Sequence, residues 1–226
     1  MFRPTIGFLA LGFLLGCNSD HAMSGLGSGS RLTLINGAAQ AGTVTLYIDN
    51  HRVGDIVVAQ AKQDLALDPG SHHIELRRSN GTMGLSSQLD FIEGAGLTIV
   101  ALDSAGLIRS AELADSNTVV PPGATKLRVA HFAQAAGNID IWRTQPDFVT
   151  PIRIMFPFTY HDISPYVQST PGDWRVLVST AINTPNGPMP DTLGMTGLIA
   201  IAGGASRTVL VVDNPAGGVE LLVVDP

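Results

Sequence analysis

Apolar and polar positions alternate along most of this chain with a period of two. Leu32 and Leu34, then Val44 and Leu46, are separated by polar positions that include Thr33 and Thr45. This is the spacing of strands that bury one face. Beyond the first sixteen residues no helical spacing is sustained for three turns, and the 25 glycines and 14 prolines interrupt most windows in which a helix could form. Short strands punctuated by turn residues predict an all-β sandwich architecture. Pro69-Gly70 and Pro171-Gly172 predict type II turns, and Asn80-Gly81 and Asn186-Gly187 predict hairpins.

The same strands occur twice. The segment from Arg31 to Tyr47 aligns without a gap on that from Lys126 to Trp142, placing Leu32 on Leu127, Leu34 on Val129, Asn36 on His131 and Tyr47 on Trp142. Asp68–Leu76 then corresponds to Thr170–Val178, and Leu97–Asp103 to Arg207–Asp213. Three matches in one order indicate a duplication. The expected organisation is two tandem immunoglobulin-like or transthyretin-like β-sandwiches, residues 31–115 and 126–226. A short, proline-rich linker, residues 116–125, joins them.

The first thirty residues follow another pattern. Arg3 precedes an apolar run from Thr5 to Gly16, about 12 residues long, which suits a signal peptide and is too short to span a bilayer. Leu14-Leu15-Gly16-Cys17 resembles the lipobox of bacterial lipoproteins, with Leu15 where a small residue is more usual. The resemblance implies a signal at 1–16 and acylation of Cys17, the only cysteine, which leaves no thiol for a disulfide. Two or more acyl chains would make the anchor effectively permanent. Residues 17–30, small, polar and glycine-rich, are expected to form a lipidated tether. In the lipoproteins of enteric-type bacteria that this segment resembles, an aspartate after the cysteine favours retention in the inner membrane, so with Asn18 there the resemblance implies a cell-envelope location at the outer membrane.

The strand blocks carry a second resemblance. Leu127 to Trp142, the two Pro-Gly segments and the blocks ending in Asp103 and Asp213 are similar to the bacterial domain of unknown function 4397. That family's usual Ser-Pro-Asp-Ala-Pro turn is replaced here by Gly-Ala-Ala-Gln-Ala-Gly and Phe-Ala-Gln-Ala-Ala-Gly. The resemblance implies β-sandwich domains on exported proteins, often in tandem, and it implies no activity.

Charge and chemistry narrow the function. The formal net charge is −6 and the chain has no basic run, which argues against nucleic-acid binding. No Gly-x-Ser-x-Gly turn is present for a hydrolase nucleophile. His72 and His73 are adjacent on a strand, so they point to opposite faces and cannot share a metal ion. Asn36 and His131 are expected to cap the turn after each first strand, and Asp103 and Asp213 to cap turns as well. No cofactor is expected.

The second repeat differs by two insertions and by its aromatic residues. Phe156, Phe158 and Tyr160 crowd with proline between Ile154 and Tyr166, and Trp142 and Trp174 fall in the same repeat. Phe156, Phe158, Tyr160, Tyr166 and Trp174 are therefore the candidate binding residues, on loops where a sandwich often places recognition. The expected function is a membrane-anchored, non-enzymatic binding or structural module of the envelope, with a protein or glycan as partner. The alternative is a hydrolase-type enzyme whose site lies in the loops of the second repeat.

Overall fold

A computed structural model of the chain describes residues 29–104, 107–115, 120–144, 151–182 and 187–225, without the side chain of Phe156. The first repeat contains β1 (Ser30–Asn36), β2 (Val44–Ile48), β3 (His51–Ile56), β4 (Gln60–Leu67), β5 (Gly70–Arg78), β6 (Met83–Phe91), β7 (Gly96–Ser104) and β8 (Leu107–Asp115). These form two sheets, β4-β1-β7-β8 and β3-β2-β5-β6. The second repeat contains β9 (Thr125–Phe132), β10 (Ile139–Thr144), β11 (Ile152–Phe158), β12 (Val167–Ser169), β13 (Gly172–Thr180), β14 (Thr192–Met195), β15 (Ile199–Ile201), β16 (Ser206–Asp213) and β17 (Val219–Val224). Its sheets, β12-β9-β16-β17 and β11-β10-β13-β14, repeat the strand order of the first, with β15 pairing the start of β13. In both repeats the opening strand runs parallel to the strand carrying the late apolar block, β1 with β7 and β9 with β16.

Each sheet pair closes on its own core. Leu32, Leu34, Val44, Leu46, Ile74, Leu76 and Ile99 fill the first. Leu127, Val129, Ile139, Ile141, Val176, Val178 and Val209 fill the second. Burying each such side chain contributes about 1.5–3 kcal/mol.

A third cluster lies between the sandwiches. The sheets β4-β1-β7-β8 and β12-β9-β16-β17 pack face to face through equivalent positions: Ile35 and Ala130, Val100 and Leu210, Leu102 and Val212, Leu113 and Val224. Phe132 adds a ring where the first repeat has Gly37. A Cβ at Gly37 would come within 3.1 Å of Val212 Cγ1 and 3.0 Å of the Ala101 carbonyl oxygen, so the side-chain-free residue permits the close approach. The molecule is therefore four sheets deep, and its two middle sheets are covered on both faces.

An ion pair crosses this seam at one end. Arg128 of β9 donates from Nη2 to Asp115 Oδ1 at 2.8 Å, from Nη1 to the Ala114 carbonyl at 2.9 Å and from Nε to Thr208 Oγ1 at 3.2 Å. Thr98 Oγ1 donates to the other carboxylate oxygen of Asp115 at 2.8 Å. Both charged side chains are only 6% exposed. Residue 29 enters the molecule at this same end, the base. The turns after β1 and β9 lie at the opposite, distal end.

Three expectations change. The blocks of β7 and β16 were expected to bury one face, but the seam buries both. Residue 30 belongs to β1 rather than to the tether, and Ser30 Oγ donates to the Ile92 carbonyl at 2.8 Å. Gly70 and Gly172 have φ of +138° and +144° and open β5 and β13, so the Pro-Gly pairs are strand entries and not type II turns. Asn80-Gly81 does connect a hairpin, with Gly81 at φ +79°. Asn186 lies outside the described residues.

Candidate distal functional site

Two equivalent loops meet at the distal end, and each is fixed from below by a side chain of its opening strand. Asn36 Nδ2 donates to the carbonyls of Gly42 at 2.8 Å and Ile56 at 2.9 Å, and its Oδ1 accepts from the Ala38 amide at 3.2 Å. His131 reproduces this arrangement with a ring, its Nε2 meeting the Gly137 carbonyl at 2.8 Å and its Nδ1 the Ala133 amide at 3.4 Å. The neutral tautomer with hydrogen on Nε2 satisfies both contacts. Burial pushes the His131 pKa below the usual histidine value, although the Gly137 carbonyl opposes the shift.

Carboxylates hold the same loops from the neighbouring strand. Asp213 accepts from the amides of Gln134 at 3.0 Å and Ala135 at 3.1 Å. Asp103 accepts from the Gln40 amide. All four side chains cap turns, as their spacing predicts.

Tyr160 and His161 sit beside these loops, on the segment joining β11 to β12. His161, at φ +75°, donates its amide to the His131 carbonyl at 2.8 Å, and the His131 amide donates to the Asp162 carbonyl at 2.9 Å. Asp162 fixes the segment further by accepting from the amide and hydroxyl of Thr159 at 2.6 and 2.7 Å. The Tyr160 ring lies 4.1 Å from that of His161 and meets His131 edge-on at 6.3 Å. Burial raises the pKa of the Tyr160 phenol first, and Asp213 and Asp103, one from each repeat, add to the rise. The phenol therefore stays protonated and available as a hydrogen-bond donor. Asn36, His131, Asp213 and Oδ2 of Asp103 are committed to the backbone of the two loops, whereas Oδ1 of Asp103 is buried without a hydrogen-bond partner among the described residues. Among the described residues, no three His, Cys, Asp or Glu side chains are grouped to hold a metal ion.

The other aromatic candidates are dispersed. Phe158 is 8% exposed in the second core, stacked on His131 at 6.4 Å. Trp174 is 6% exposed in the same core, donating Nε1 to the Thr170 carbonyl at 3.0 Å and lying under Arg143 at 4.2 Å. Neither ring is open to a partner. Tyr166 is half-buried over Arg128 at 4.7 Å, so it belongs to the seam. The start of the segment expected to be an inserted loop, Ile154 to Phe158, belongs to β11, paired with β10 as β3 is with β2. The Phe156 side chain and Cys17 lie outside the described residues. The sequence reading missed the Arg128–Asp115 pair, whose signal was a charge inside the apolar run of β9.

Residues 30–142, half of the chain, match the protein family described as "Domain of unknown function (DUF4397)". No curated protein matches. A leucine-rich repeat protein from Bacteroides thetaiotaomicron VPI-5482 overlays with a TM-score of 0.21 at 10% identity, covering 80% of this chain, which spans only 25% of that one. A candidate cell adhesion protein from Bacteroides fragilis NCTC 9343 gives a TM-score of 0.20 at 12% identity, with 81% and 83% of the two chains covered. The family match takes in the whole first sandwich and the opening of the second as far as β10, and the chain belongs to the DUF4397 family.

Proposed function

We propose that this chain is a membrane-tethered, non-enzymatic module of the cell envelope, in which two copies of the family domain form one rigid head with its contact surface at the distal end. The observation that carries the reading is geometric. Residue 29 leads into the base, whereas the capped loops of both repeats and Tyr160 lie one strand length away, about 20 Å for the seven residues of β1. A lipid on Cys17 would hold the base towards the membrane and leave the distal loops free. The use of Asn36, His131 and Asp213 as turn caps supports binding over catalysis, because their hydrogen bonds go to the backbone of the loops they hold. A protein or an envelope glycan is the proposed partner.

One experiment in two arms tests this. Mass spectrometry of the N-terminal peptide of the full chain should find Cys17 acylated, and Cys17→Ser should move a folded protein from the membrane to the soluble fraction. A photoreactive residue at position 160 should form adducts with envelope material, and one at exposed Glu93, at the base, should not. Membrane retention of Cys17→Ser would remove the anchor from the reading. Equal adducts from both positions would remove the distal surface.

A further inference from the structure

At the base of the first sandwich, both ring nitrogens of His72 face oxygen acceptors. Nδ1 lies 2.6 Å from Asp49 Oδ2, and Nε2 lies 2.8 Å from the backbone carbonyl of Asp68. The side chain is 17% exposed, and Phe91 of β6 meets its ring edge-on at 5.6 Å. A neutral imidazole has one N–H and one lone pair, so in this position it would turn a lone pair towards one of the two oxygens. Only the imidazolium satisfies both. Asp49 stays ionised, since the His73 amide first and His72 second hold its pKa below 3.8.

These contacts join two separate connections. Asp49 and Asn50, at φ +49° and +66°, form the two-residue turn between β2 and β3, and Asp68 lies in the connection from β4 to β5. Asp49 is held into the turn by a backbone pair with His73, its own amide donating at 2.9 Å and its Oδ1 accepting at 2.8 Å. The charged groups acting on the site are Asp49 and Asp68 on His72, and His51 of β3 on Asp49.

The second sandwich supplies a comparison within the same molecule. Trp174 occupies the position of His72 and donates to the carbonyl four residues earlier, Thr170, as His72 does to Asp68. Its indole does not titrate, and the cation beside it is Arg143.

We propose that His72 is a proton-operated latch: in its imidazolium form it clamps the β2–β3 turn to the β4–β5 connection at the base of the first sandwich, and the second sandwich has no such response. The hydrogen bond to Asp49, followed by that to Asp68, raises the His72 pKa above 6.5 and outweighs the opposing effect of burial. The contribution of a group whose folded pKa is raised is complete below 6.5 and is lost as pH rises through the folded value. Asp49 has the opposite sign: its contribution is present above 3.8 and is lost as pH falls through its lowered folded value. The latch is thus closed between those two folded pKa values and opens on either side.

The test is an NMR titration of the full chain, following the His72 ring nitrogens together with exchange of the Asp49 and His73 amides, corrected for the intrinsic pH dependence of exchange. His72 should titrate above 6.5, carrying hydrogen on both nitrogens below its midpoint. Protection of the two amides should fall through the same midpoint, by up to about tenfold for each pH unit by which the pKa is raised. The Trp174 indole N–H should show no step. Asp49→Asn should bring the His72 midpoint back towards 6.5, and His72→Gln should flatten the amide response. A wild-type His72 that titrates at or below 6.5, or amide protection that is constant through its titration, overturns the latch whether or not either variant folds.

Discussion

Asn36 and His131 perform one task with different chemistry, each joining an acceptor and a donor to the loop above it. His131→Asn should therefore keep the fold within about 1 kcal/mol of wild type, whereas His131→Leu strands the Gly137 carbonyl and the Ala133 amide and should cost about 1–3 kcal/mol, both read from urea denaturation. These caps were legible in the sequence because the gapless repeat places the two residues on each other and sets both at the end of a strand. The opposite orientations of His72 and His73 were legible too, from strand geometry alone, and His73 indeed bonds Ser86 at 2.8 Å while His72 faces Asp49. The link from His72 to Asp49 was not legible. Their separation of 23 residues becomes a contact only once the β2–β3 turn and the start of β5 are placed together.

Strands show where a rule of alternation stops working. In β7 and β16 the apolar residues run on without a break, Ile99 to Leu102 and Val209 to Val212, and every one of them is buried. A run of this kind marks a strand with packing on both faces. It was in the sequence, but period-two counting weights it no more than an alternating strand. Inside the corresponding run of β9, Arg128 is tolerated because Asp115, Ala114 and Thr208 engage its guanidinium. Arg128→Met should cost about 3–5 kcal/mol in chemical denaturation, because Asp115 then remains buried without its countercharge. Adding Asp115→Leu should recover most of that loss. If the single variant is as stable as wild type, the pair contributes nothing across the seam.

At the scale of the molecule, the seam means that neither sandwich has a finished surface without the other. Unfolding of the full chain should therefore appear as one cooperative transition, with calorimetric and van't Hoff enthalpies in agreement. Residues 30–115 alone would expose Ile35, Val100, Leu102 and Leu113 on one sheet and should self-associate. Two separated transitions in the full chain would show the sandwiches to be independent. The repeat made the number of sandwiches readable, but their mutual arrangement was not. The linker, residues 116–125, suggests only that the two halves are close, while the restraint comes from seam side chains spread from Ile35 to Val224.

The seam pairs like with like: Val100 has its counterpart in Leu210, Leu102 in Val212 and Leu113 in Val224. A surface built this way is complementary to itself, which is the condition for a twofold homodimer. A chain carrying a single copy would bury these positions by pairing with a second chain, and its assembly would depend on its own abundance. Fusion removes that dependence, since a short linker keeps the mate at an effective concentration of the order of mM at any expression level. It also frees the halves from having to match, and they have diverged where symmetry no longer binds them: Gly37 against Phe132, Thr33 against Arg128, His72 against Trp174. The molecule is in this sense a dimer written as one chain, with the proposed latch of His72 in one half and Tyr160 in the other.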